Sequence, residues 1–384
     1  MKTIAFYLPQ FHEIEENNMW WGKGFTEWTN MKKAAQLYEE HYQPRIPLKE
    51  NYYDLTDINV MRWQTEIAKA NGVHGFCFYH YWFDGKLLLE RPVEQFLKEE
   101  EIDFPYCICW ANEDWTNSWN NRSNTILIKQ TYGDEEMWKK HYEYLKPFFK
   151  DERYIKKDGK PFFIIYRPEI IPNVTEMLNL WNELAVEDGL GGITYAYQHV
   201  NYLLSNMVDD ECFKYHIEYQ PMYARTMNVS KIYNMLRSIK KIIYKLLKRE
   251  TSDIRGTFAT KVKILDYDSV WEYILNQKPT GQGSIPCAFV DWDNTPRKGD
   301  AGVVIHGASP EKFKGYFSRL INKCKNEYNQ DMIFVFAWNE WAEGGYLEPD
   351  ERYGFGYLNA VKEALLENGE YPYEVEECGE YNEG

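Results

Sequence analysis

The sequence predicts an α/β fold, a single (β/α)8 TIM barrel with extended βα loops and an insertion around residues 201–284. Three observations predict it. Short, near-continuously apolar runs recur eight times, as strands buried on both faces should. Amphipathic helical patterns lie between most of them. Aromatic and polar residues gather after run upon run, at the end where such a barrel carries its site. The length of 384 residues suits one barrel with long loops.

The strands are expected at residues 3–8, 75–81, 106–110, 162–166, 193–198, 216–219, 287–290 and 332–338. The fifth and sixth have the weakest patterns. Helices are expected at 55–71, 88–100, 134–150, 174–187, 230–249, 310–327 and 356–367. Ser309 followed by Pro310 reads as a helix start, because proline lacks only an N–H that the first turn leaves unpaired anyway. Residues 1–367 are expected to form the catalytic barrel, and 368–384 an acidic surface tail.

Composition excludes several classes. Lys and Arg number 44 against 59 Asp and Glu, a net charge of −15, which argues against a nucleic-acid partner. No run is apolar enough to span a membrane. The start, MKTIAFYLPQFH, reads as a first strand and not as a signal peptide, so a cytoplasmic location is expected. Cys77, Cys107, Cys109 and Cys287 lie in apolar runs and read as reduced core thiols, and no spacing demands a metal. There is no phosphate-cradling glycine loop, no Gly-x-Ser-x-Gly and no His-Glu-x-x-His. The stretch 231–250 alternates Ile, Leu and Met with Lys and Arg at helical spacing. It reads as an outer barrel helix or as a peripheral membrane contact. No cofactor is expected, and the oligomeric state is open.

Aromatics make up 17% of the chain, with 14 Trp, 31 Tyr and 20 Phe. They fall beside carboxylates, amides, His and Arg at the strand ends. Sugars want this mixture, because their C–H faces stack on rings and their hydroxyls need hydrogen-bond partners. An oligosaccharide or polysaccharide is therefore the expected substrate. Its candidate contacts are Tyr7, Gln10 and His12 after the first run, then Trp21, Glu27 and Trp28. The second run offers Tyr79, His80, Tyr81 and Trp82, and the third Trp110, Asn112, Glu113 and Trp115. Arg167, Gln198 and Tyr219 follow the fourth, fifth and sixth. The seventh offers Asp291, Trp292, Asn294 and Arg297, and the eighth Trp338, Asn339 and Trp341.

Glu340 and Glu343 are the candidate catalytic pair. In one strand, residues three apart point to opposite faces. The strand must therefore end near residues 339–340, and Gly344-Gly345 allows the chain to turn. Both carboxylates can then enter one pocket. Glycosidic cleavage needs such a pair, one protonating the leaving oxygen and one serving the anomeric side.

Five segments together resemble a known family: WWGKGFTEWTN (20–30), HGFCFYHYWF (74–83), CWANEDW (109–115), DWDNTPR (291–297) and NEWAEGGYLE (339–348). They look like the WbsX-like proteins, described as lipopolysaccharide or capsule biosynthesis glycosyltransferases, which are similar to glycoside hydrolase family 99. The resemblance runs from residue 3 to about 367. It implies a (β/α)8 barrel acting on a glycan, without a metal. Family 99 contains retaining endo-acting α-mannosidases and mannanases with an Asn-Glu-Trp-x-Glu-Gly motif, which falls on residues 339–344. By that likeness Glu340 is the base that deprotonates the sugar 2-hydroxyl, and Glu343 the general acid, then the base for water. Ala342 stands where a His is common. Three functions remain open: a retaining glycoside hydrolase, a glycosyltransferase of surface-polysaccharide assembly, and a non-catalytic glycan-binding barrel.

Overall fold

The computed structural model describes residues 1–117, 125–200, 212–226 and 262–373. Strands β1 (Lys2–Tyr7), β2 (Val73–Phe83), β3 (Tyr106–Trp110), β4 (Lys160–Ile165), β5 (Thr194–His199), β6 (Tyr215–Glu218), β7 (Ser284–Phe289) and β8 (Met332–Phe336) pair in parallel in chain order. β8 then pairs with β1, Lys2 to Ala5 lying against Met332 to Val335, which closes the barrel. Each run expected to be a strand is one. β3 and β8 are buried at every residue, which is why they read as unbroken apolar runs rather than alternating ones.

Outside the strands lie α1 (Ile58–Ala70), α2 (Arg91–Lys98), α3 (Glu135–Lys150), α4 (Val174–Glu187), α5 (Tyr267–Asn276), α6 (Pro310–Lys323) and α7 (Gly356–Glu367). Side-chain caps start four of them: Asp57, Asp134, Asp266 and Ser309 each accept from a backbone N–H in the first turn. α6 carries Pro310 in its first turn, as expected.

Two expectations need correction. The stretch 201–284 is not wholly an insertion, because β6 and α5 lie inside it and belong to the barrel. Helix α5 was not expected. Its buried Tyr267, Val270, Trp271 and Ile274 follow helical spacing, but over only ten residues. The helix expected at 230–249, and with it the membrane contact at 231–250, lies outside the described residues. The acidic tail does not begin as a free appendage. Tyr371 donates to the Ala70 carbonyl at 3.0 Å and Tyr373 to the Val73 carbonyl at 3.1 Å. Residues 374–384 lie outside the described part.

Short extra strands build walls above the barrel. β2 runs past the barrel and folds back on Lys86–Leu88. Trp115–Thr116 pairs with Ile126–Ile128. Lys263–Asp266, Val303–His306 and Trp292–Asp293 form a three-stranded sheet. Among the described residues, no helix is long and apolar enough to cross a membrane. The six described cysteines are free thiols.

Candidate functional site

A cavity of about 260 Å³ opens at the C-terminal ends of the strands. Its lining is Leu8, Gln10, Tyr79, Tyr81, Ala111, Glu113, Asp114, Trp115, Thr116, Tyr166, Tyr219, Arg297 and Glu340. The two-residue period of the strands decides which side chains reach it. Leu8 and Gln10 face in after β1, while Tyr7 points out and donates to Gln64 of α1 at 2.6 Å. Tyr79 and Tyr81 face in from β2. His80 and Trp82 face out, where His141 of α3 stacks on Trp82 at 4.4 Å and contacts the His80 ring nitrogen at 2.9 Å. Burial holds His80 neutral, with its pKa lowered to about 3.

The floor is aromatic. Phe6 lies 5.6 Å from Tyr79, 5.4 Å from Tyr219 and 5.2 Å from Phe334, centroid to centroid. Tyr79 donates to the Tyr219 hydroxyl at 3.1 Å, and Gln198 donates to Tyr79 at 3.3 Å. One wall is a separate apolar cluster of Tyr81, Phe83, Leu88, Leu89 and Trp115.

The exit of β8 supplies the candidate pair. Trp338 N–H bonds the Phe6 carbonyl at 2.8 Å, and Asn339 clamps Leu8, accepting from its N–H at 2.7 Å and donating to its carbonyl at 3.0 Å. Asn339–Glu340 then pairs with Gly345–Tyr346 as a short antiparallel ribbon. The turn Trp341–Glu343 between them is closed by Gly344 at φ 73°. A Cβ on Gly345 would lie 2.2 Å from the Phe336 ring, so both glycines are needed, one for backbone sign and one for space. Asn339, Trp341 and Ala342 are buried; Glu340, also buried, lines the cavity, while Glu343 is outside its lining and reaches it through Arg297.

Both carboxylates meet one guanidinium. Arg297 Nη2 lies 2.7 Å from Glu340, and Nη1 lies 3.0 Å from Glu343. A third carboxylate, Glu27, lies 3.1 Å from Nη2 and is fully buried behind it. Three acids around one cation cannot all ionise cheaply. Burial, with Glu343 and Glu27 adding repulsion, pushes Glu340 up to about 8, and Arg297 offsets only part of this. Burial also raises Glu27. Burial opposes the charge on Arg297, but the three carboxylates outweigh it and raise its pKa.

Arg297 is placed by the segment after β7. Asn294 accepts from Val303 N–H at 2.8 Å and fixes the loop. Asp293 accepts from His41 and Gln43 at 2.8 Å each and from the Thr295 hydroxyl at 2.6 Å. Arg45 bonds Asp291 at 2.8 Å and the Gly344 carbonyl at 3.1 Å, tying this loop to the turn that carries Glu340 and Glu343. From the other side Glu348 accepts from Trp341 Nε1 at 2.7 Å, Tyr53 at 2.8 Å and Gln64 at 2.6 Å, and burial pushes it up to about 7.

On the opposite rim Arg167 pairs with Glu113 at 2.5 Å and with Glu169, and Asn112 holds the Arg167 backbone with 2.8 Å bonds to its N–H and its carbonyl. Burial raises Glu113, and Arg167 opposes it.

Of the residues expected to touch a sugar, Gln10, Tyr79, Tyr81, Glu113, Trp115, Tyr219 and Arg297 line the cavity with Glu340. Arg167, Gln198 and Glu27 stand directly behind lining residues. The others are placed by packing. His12 is fully buried, Trp28 donates to the Tyr53 carbonyl at 2.8 Å, and Trp21 sits against Phe25. Trp110 packs against His141 and Trp181, Trp292 tilts on Phe336, and Trp341 stacks on Tyr346 at 3.8 Å. Tyr7, His80, Trp82, Asn112, Asp291, Asn294, Trp338 and Asn339 support the frame through the contacts above. Tyr166 and Asp114 line the cavity although neither was expected there. Tyr166 closes the fourth apolar run, so its position carried a signal. Arg45 and Gln64 carried none, because their partners are far away in sequence; Glu348 closes the NEWAEGGYLE segment, but its partners Tyr53 and Gln64 are equally distant.

Residues 3–361 match the family described as "Glycosyltransferase WbsX". The protein WxcX of Xanthomonas campestris pv. campestris is 33% identical over 366 residues, covering 94% of this chain and 49% of WxcX. The chain thus spans about half the length of that relative. Among solved structures, a "glycoside hydrolase-like protein" has TM-score 0.55 at 13% identity, covering 94% of this chain and 93% of that one. The family 99 endo-α-mannosidase of Bacteroides thetaiotaomicron has TM-score 0.54 at 13% identity, covering 95% and 96%. At such identity the likeness concerns the barrel.

Proposed function

The chain belongs to the WbsX glycosyltransferase family, and from that premise and the pocket geometry we propose that it is a glycan-processing enzyme that cleaves a glycosidic bond with retention. The substrate is a surface polysaccharide or a precursor of one. The carrying observation is that Glu340 and Glu343 share Arg297 at the wall of an aromatic pocket.

The reaction runs in two balanced steps. Glu340 takes the proton of the sugar 2-hydroxyl, whose oxygen attacks C1. The C1–O bond to the leaving sugar breaks, and Glu343 gives that oxygen its proton. Water then attacks C1 and gives its proton to Glu343, the C1–O2 bond of the anhydrosugar breaks, and the released 2-oxygen regains its proton from Glu340. Burial that raises Glu340 makes it a stronger base once ionised. Tyr79, Tyr81 and Trp115 offer faces for the sugar ring, and Gln10 a polar partner.

A sugar hydroxyl in place of water turns the same steps into transfer, the reading that the family description favours. Against a sugar-nucleotide donor stands the pairing of the arginines at the cavity among the described residues: Arg297, in the lining, holds three carboxylates, and Arg167, behind it, holds two. Each of Glu340→Gln and Glu343→Gln should lower turnover of a confirmed oligosaccharide by about 10²–10⁴-fold with the melting temperature preserved. Full activity in both variants would overturn the assignment.

A further inference from the structure

A second cavity, of about 640 Å³, shares no lining residue with the Glu340 pocket. Consecutive residues of the β8 exit separate the two, since Glu340 lines the first and Trp341 the second. The second is built from the loop after β1, the loop after β8, Trp63 in the second turn of α1, and Phe355 just before α7. It therefore opens at the C-terminal ends of the strands as well. Its frame is fixed: the Leu48 N–H bonds the Pro349 carbonyl at 3.0 Å, and the Glu351 N–H bonds the Ile46 carbonyl at 2.9 Å. Lys49 and Glu50, two consecutive lining residues, are held at φ 57° and 53°. Side chains other than glycine keep that left-handed backbone only where the surroundings impose it. The lining mixes rings with polar groups. Phe355 is 38% exposed and Trp63 half-buried, while Glu50 and Asn51 are exposed between them and the buried Glu348 and Trp341. Rings left open in a cavity with polar groups among them mark a binding surface, and the volume lies in the range of about 300–1,000 Å³ usual for ligand sites.

We propose that this cavity is a second glycan-binding site, which holds a run of sugars of the polysaccharide away from the bond to be cleaved. The assignment of the occupant rests on the reading of the substrate as a surface polysaccharide. A sugar uses both kinds of lining: its C–H faces stack on Trp63 and Phe355, and its hydroxyls pair with Glu50 and Asn51. A proline-rich protein segment would use the rings but not the carboxylates. Because no residue is shared with the Glu340 pocket, the second site adds affinity for a long chain and leaves a short substrate untouched.

Affinity electrophoresis of the full chain in gels containing the surface polysaccharide of the source organism tests this, with Glu343→Gln as the background so that the polymer stays whole. Trp63→Ala and Phe355→Ala should each weaken retardation about three- to tenfold, and the two together more than tenfold. In the active background, both should leave kcat and KM for a short oligosaccharide unchanged. Phe355 is exposed, so its variant gives a reading even where Trp63→Ala fails to fold. Equal retardation of the parent and both variants, or no retardation of the parent, overturns the site. Tighter binding of a polyproline peptide, lost in the same two variants, overturns the glycan in favour of a protein partner. Trp115→Ala, run in parallel, reads the Glu340 pocket. Loss confined to Trp115→Ala removes the second site and leaves the cleavage reading standing. Loss in Trp63→Ala and Phe355→Ala, from a protein that cleaves no glycan, supports the site and strikes the cleavage reading alone.

Discussion

Two buried arginine–carboxylate clusters lie side by side, and they are built to opposite rules. Around Arg45, one of the two acids is matched by donors: burial raises Asp291 despite Arg45 and the Trp292 N–H, but Asp293 is different. Asp293 has His41, Gln43 and Thr295 besides the arginine, and although burial pulls it upward, these partners win and its pKa is lowered. Around Arg297, three carboxylates share one cation, and Glu340 and Glu27 are both raised. The first cluster is an anchor that fixes the loop and the turn through Arg45. The second is left short of positive charge, which is what proton transfer near neutral pH requires. Charge count, and not burial, separates them, since both are buried.

Substitution of each arginine breaks that comparison most sharply. Arg45→Met should cost about 3–5 kcal/mol in denaturant unfolding, because it strands Asp291 and Asp293. Arg297→Gln should cost less stability at acid pH, where its carboxylates can take up protons, and should lower turnover by about a hundredfold or more. Equal stability losses in the two variants at pH 5 would remove the distinction.

The pH dependence sharpens it. Folded Glu340 keeps its proton up to about pH 8, against an ordinary value of 4.5. Between those values the folded state binds more protons than the unfolded one, so unfolding free energy should fall as pH rises through the window. Glu340→Gln should flatten that slope when denaturant midpoints are followed from pH 5 to 8.5. The rate should move the other way. With Glu340 as base, kcat/KM should rise with pH along a limb centred above the ordinary carboxylate range. A limb that falls near pH 8 and vanishes in Glu340→Gln would exchange the acid and base roles.

The smallest expected effect compares the two faces of the barrel wall. Trp115→Ala should weaken neutral oligosaccharide binding about three- to tenfold, in line with about 0.5–1.5 kcal/mol for one ring contact. His80→Gln, on the outer face of β2, should leave it unchanged. A comparable loss in both would mean that the inward side of β2 has been misassigned.

The barrel was legible because parallel strands buried on both faces leave continuous apolar runs, and all eight were present. Helix α5 was not, since ten residues inside an irregular stretch give too little periodicity. The exit of β8 was legible in detail. The spacing of Glu340 and Glu343 before two glycines required a turn, and a turn is there. The surrounding site was over-read. Strand ends advertise both faces at once, so His80 and Trp82 looked as eligible as Tyr79 and Tyr81, and only the pleat separates them. Arg45, whose carbonyl and carboxylate partners at Gly344 and Asp291 lie far along the chain, left no local trace.

The central claim is that Glu340 and Glu343, held by Arg297, break a glycosidic bond with retention. Time-resolved proton NMR of the anomeric signals tests it most directly, with wild-type protein acting on the surface polysaccharide of the source organism. The first-formed reducing end should carry the same anomeric configuration as the cleaved linkage, and Glu343→Gln should release none. An inverted first product, or release undiminished in Glu343→Gln, would contradict it.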